Sequence, residues 1–95
     1  MTLSEFKHSL SQQQPPPVAA LLQALWYEAK GDWEKAHTVA QDVHTEDGSW
    51  VHAYLHRVEG DTGNARYWYQ HANRKMPTGS LAEEWDAIVG TLLAT

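Results

Sequence analysis

No cysteine occurs in the 95-residue chain, which excludes disulfides and thiolate metal sites together. There is no apolar run near the roughly 20 residues that cross a bilayer. Residues Met1 to His8 lack the basic start and apolar core of a signal peptide. A cytoplasmic protein with no membrane partner is the expectation. Basic residues are also few: seven Lys and Arg face twelve Asp and Glu, a formal charge of −5. That balance argues against nucleic acid, whose binders usually carry a basic face. The one basic cluster, Arg66, Arg74 and Lys75, falls at and after a helix end, where cations offset the macrodipole. No segment alternates apolar and polar residues as a strand would.

Aromatic residues are plentiful instead. Five tryptophans are present, and each can bury roughly 150–250 Å², enough to support one core in a single domain of this size. Two of them lie in Trp50–Tyr69, which also holds three of the four tyrosines and two of the six histidines. Trp50, Val51, Tyr54, Leu55 and Val58 make a helical stripe, and Ala65, Trp68, Tyr69 and Ala72 make a second after Gly60-Asp61. Two antiparallel helices joined by a glycine turn fit this pattern.

The rest of the chain also reads as helix. Thr2 and Glu5 have capping-box spacing for a short helix over 2–13, with 1–15 a loosely docked arm. Prolines 15–17 break it, and a new helix is expected from Pro16 or Pro17 to Lys30-Gly31. Asp32 caps a helix over about 33–44, Asp47 or Ser49 the next, and Asp61 its partner. Ser80 and Glu83 open a last helix, locally weakened at Gly90. The expected organisation is all-α: a first hairpin over 17–44, a second over 48–76 and a capping helix over 80–95.

The two hairpins are related by a shift of 29 positions, which pairs Lys30-Gly31-Asp32 with Glu59-Gly60-Asp61, Ala24 with Ala53 and Ala36 with Ala65. Small residues at these places let two helix backbones approach. In Ala24, Gly31, Ala36 and Ala53, Gly60, Ala65, Pro77 the chain resembles the tetratricopeptide repeat, although its spacing is shorter than the usual ~34 residues. The strings G-D-W-E-K-A-H, W-V-H-A-Y-L-H-R and N-A-R-Y-W-Y resemble a small bacterial family of uncharacterised proteins, a likeness that implies a fold and no activity. The repeat resemblance implies stacked hairpins and a concave face lined by Leu21, Leu25, Glu28, Trp50, Tyr54 and Arg57, where a protein or peptide partner would bind. Two repeats make a short solenoid, and self-association as a homodimer would cover the remaining face.

Two constellations stand out. Trp50, Tyr54 and Arg57 would form an aromatic and basic ledge for a carboxylate, with Tyr67 as a further exposed anchor. The competing reading is an ordinary core face, with Arg57 paired to Glu28 or Asp61 and Tyr67 packed on a neighbour. His52 and His56, four apart on one helix face, could chelate a metal if His71 on the facing helix, and Glu59 in line, completed the site. The competing reading is two packed histidines held by hydrogen bonds to Tyr, Asn or backbone. H-A-Y-L-H lacks the glutamate of H-E-x-x-H. Around Asp47-Gly48 the further acidic positions of a calcium loop are missing, and the five serines sit in poor contexts for a nucleophile. The expectation is a non-catalytic interaction protein without a cofactor; the alternative is a metal- or small-ligand-binding protein centred on His52 and His56, with catalysis by that pair left open.

Overall fold

The computed structural model describes residues 1–95 as six helices and no strand: α1 (Leu3–Ser9), α2 (Ala20–Ala29), α3 (Trp33–Gln41), α4 (Glu46–Val58), α5 (Thr62–His71) and α6 (Leu81–Leu93). None is long and apolar enough to cross a membrane.

The repeated Gly-Asp pair has a clear physical role. Gly31 and Gly60 adopt φ of +91° and +86°, a left-handed conformation that costs a Cβ-bearing residue about 1–2 kcal/mol. The Asp32 amide then donates to the Tyr27 carbonyl and the Gly31 amide to Glu28; Asp61 and Gly60 repeat this towards His56 and Arg57. These are Schellman closures, which satisfy the carbonyls left free at a helix end. Each aspartate also starts the next helix, accepting from the Lys35 or Asn64 amide. One dipeptide therefore ends one helix and begins another. Asn73, at φ 56°, closes α5 in the same way.

The small residues lie where the backbones meet: Ala24, Ala36, Ala53 and Ala65 are all fully buried. Helix α4 packs against both α3 and α5, and α6 lies across α2 and α4, with α1 beside it. The last helix thus covers the first helices of both hairpins, the face where the repeat resemblance implied a binding surface. Trp85 anchors it by donating its indole N–H to the Leu25 carbonyl at 3.1 Å.

Several features differ from expectation, beginning with α1 and α3, which end at Ser9 and Gln41 rather than near 13 and 44. Helix α2 starts at Ala20, not at Pro16 or Pro17. Consecutive prolines hold each preceding residue extended, and a Val18-to-Pro16 hydrogen bond turns the chain before the helix can begin. The arm is not loose either. Phe6 is fully buried against Trp85, and Lys30 donates to the carbonyls of Leu10 and Gln12. Helix α4 is capped by Thr45, whose hydroxyl accepts from the Gly48 amide at 3.0 Å.

Gly48 therefore lies inside the helix, where an added Cβ would sit 1.9 Å from the Val43 carbonyl oxygen. At Gly90 a Cβ meets nothing within 4 Å. The two glycines should respond oppositely to alanine. Gly48→Ala is expected to destabilise the fold by about 1–3 kcal/mol through overpacking, and Gly90→Ala to stabilise it by up to about 1 kcal/mol through helix propensity. Urea denaturation of both variants checks this, and equal signs would contradict it.

Candidate functional site

The sequence-predicted residues separate into two clusters. The first is structural. Trp50 and Tyr54 are buried, 5% and 3% exposed, which removes them from the ledge expected to meet a partner. The reason is α6, which brings the buried Glu84 carboxylate against this face. Glu84 accepts from the Trp50 indole at 3.2 Å, from Arg57 at 2.9 Å and from the Tyr69 hydroxyl at 2.7 Å. Arg57 pairs with Glu84 rather than Glu28 or Asp61, and its other terminal nitrogen donates to the Gly79 carbonyl. Burial, then the Glu84 carboxylate, raises the Tyr69 phenol well above its ordinary value. Arg74 lies over the Trp50 ring, its guanidinium carbon 3.4 Å from the centroid, a cation–π contact. Every buried side-chain nitrogen and oxygen has a hydrogen-bond partner. Tyr67 alone of the four expected contact residues is exposed, at 53%.

The second cluster is made of imidazoles. His52 and His56, both on α4, are 7% exposed, and their rings stack 4.8 Å apart. His71 does not join them. It is exposed on α5, against Tyr67 and Trp68, and the Trp68 ring stacks directly on His52 at 4.0 Å. The third imidazole is His37 of α3, whose Nε2 lies 3.0 Å from His52 Nε2. One ring nitrogen from each of His37, His52 and His56 falls within 4.8 Å of the others.

The local sequence accounts for this arrangement. Trp33 and His37 are one helical turn apart on α3, with stacked rings, and Trp33 fixes that face on α4 by donating to the Leu55 carbonyl at 2.7 Å. His56 Nδ1 is 2.6 Å from the Glu59 carboxylate. Glu59 thus orients the ring and leaves its Nε2 for another partner. Trp33 and Trp68 close the two sides of the cluster. Sequence reasoning sought the third histidine within the second hairpin; the Trp33/His37 spacing was the signal for the other neighbour.

Burial, and then the nearby His37 and His56, pushes His52 down from its ordinary value of 6.5 to about 4. Burial and His56 also lower His37, against the opposing carboxylate of Glu59. Neutral imidazoles with free lone pairs are metal ligands. Tetrahedral Zn²⁺ with bonds of about 2.0–2.1 Å needs nitrogens about 3.3 Å apart. The His37–His52 pair, which shares a hydrogen bond at 3.0 Å that a metal would replace, is close to that separation, and the third nitrogen lies within 4.8 Å of both. The donor set fits a divalent late transition metal.

Comparison with protein families, curated proteins and solved structures finds no match. The chain's own chemistry carries the functional argument.

That chemistry has a consequence for stability in acid. The unfolded chain binds a proton at position 52 as the pH falls through 6.5, whereas the folded site resists until about 4. The His52 contribution is therefore intact above pH 6.5 and lost progressively between 6.5 and about 4, by up to about 3 kcal/mol. Urea denaturation in chelator across this range should show the loss, and His52→Gln should flatten it. An unchanged slope in the variant would contradict the assignment.

Proposed function

We propose that this protein binds one divalent transition-metal ion, zinc in the first instance, through His37, His52 and His56. One observation carries the reading: three imidazole nitrogens from two packed helices converge within 4.8 Å. The Glu59 carboxylate behind His56 supports it, since metal-bound histidines commonly donate their second nitrogen to a carboxylate. The absence of thiols and the three imidazoles favour zinc, copper or nickel over magnesium or calcium. Untagged protein titrated with Zn²⁺ in competition with a chromogenic chelator should take up one equivalent. His52→Ala should take up none, and Glu59→Gln should bind about 10–100-fold more weakly. Wild-type protein that leaves all zinc with the chelator would overturn the reading.

A second reading is protein interaction through a tetratricopeptide-like pair of hairpins. It is supported by the matching turns at Gly31 and Gly60 and by exposed Tyr67. Its contact surface is the outer face around Tyr67, because α6 occupies the face of α2 and α4. The partner it favours is a second copy of the chain. Light scattering tests it: a dimer that Tyr67→Ala makes monomeric supports this reading, and a monomeric wild type removes it.

A further inference from the structure

We infer that the three-histidine centre is an open, ligand-exchanging site whose fourth position takes a small anion from solution. The inference rests on the metal-binding reading above. A structural zinc site is closed by four protein ligands, whereas a site that exchanges ligands keeps one position for an outside molecule. The chain supplies three converging imidazoles, and no fourth His, Asp or Glu joins that group; Glu59 and Asp61 gather at His56 instead. Glu59 is engaged at His56 Nδ1, on the side of the ring that orients it. His71 is packed against Tyr67 and Trp68, and Trp68 itself covers one face of His52. No thiol exists. The cluster also borders solvent: His37 is only half-buried, and His52, alone of the three, forms part of the wall of a groove of about 430 Å³ between the α3–α4 connection and α5, which His44, Glu46 and His71 also line.

Charge selects the ligand class. Three neutral imidazoles offset none of a divalent ion's charge and Glu59, held behind His56, offsets only part of it, so an anion is preferred over a neutral donor at the remaining position. The Trp33 and Trp68 rings cover faces of His37 and His52, and a small monodentate anion needs the least further space between them.

Co²⁺ provides the test, because its visible absorption reports both binding and coordination. The Co²⁺-loaded full chain is titrated with azide, and spectra are recorded beside those of His37→Ala. The expected result is a one-to-one Co²⁺ spectrum that shifts saturably with azide, and loss of that spectrum in the variant. A tight one-to-one Co²⁺ spectrum that azide leaves unchanged would overturn the open position while sparing the metal site. Failure of the wild-type chain to bind Co²⁺ would overturn both.

Discussion

Replacing Glu84 with alanine is expected to lower the stability of the fold by about 3–5 kcal/mol, the usual cost of removing one partner from a buried ion pair. The side chain is 3% exposed and is shared among Arg57, Tyr69 and Trp50. Its loss leaves a guanidinium with one remaining carbonyl partner. It also leaves a phenol and an indole N–H inside the core with nothing to bond. Each unmade bond to a buried group costs about 1–3 kcal/mol. Glu84 also joins α6 to α4 and α5, so the damage extends to the docking of the last helix. For a domain of this size the thermal midpoint should fall by at least about 12 °C. Glu84→Gln keeps the shape and part of the bonding, and should cost clearly less. A fall of under about 1 kcal/mol for Glu84→Ala by chemical denaturation would show that the cluster is not a structural centre.

The second large effect separates His71, the third ligand expected from the sequence, from His37, which the structure places beside His52. His37→Ala should weaken zinc binding by at least about 100-fold, more than loss of an outer partner typically costs. His71→Ala should leave it unchanged. The contrast follows from position: His37 Nε2 is 3.0 Å from His52 Nε2, whereas His71 is exposed beyond Trp68. Chelator competition measures both variants on one scale. Equal losses, or a larger loss for His71→Ala, would place the ligands on the α4–α5 side instead.

Much of the architecture was readable from local chemistry. Asp32, Asp61, Ser80 and the Thr2–Glu5 box announce helix starts with side chains that must bond backbone amides. The repeated glycines mark left-handed turns, and the buried alanines mark the close approaches. Start points without such chemistry were harder to read. Ala19 precedes α2 with no side-chain cap, and Asp47 and Ser49 drew the expected cap away from Thr45, which serves instead.

Contacts between distant elements were the least legible. The path of α6 over α2 and α4 turned Trp50 and Tyr54 from candidate contact residues into core, and gave Arg57 a carboxylate 27 positions away. Glu84 falls four before Ile88, beside the apolar stripe of α6, and the exposed Glu83 on the other side; the partners on α4 and α5 that hold its charge are what spacing does not give. The histidine site divides in the same way. His52 and His56 were visible as an i, i+4 pair, but their third partner depends on how one hairpin packs against the other, with α4 between α3 and α5.

The central claim is that His37, His52 and His56 form one metal centre with an exchangeable position. X-ray absorption at the zinc edge of the loaded protein tests it most directly. Three imidazole nitrogens at about 2.0 Å and one further light donor at a similar distance are expected. No bound zinc, or a shell of four imidazoles or mainly of carboxylate oxygens, would contradict it.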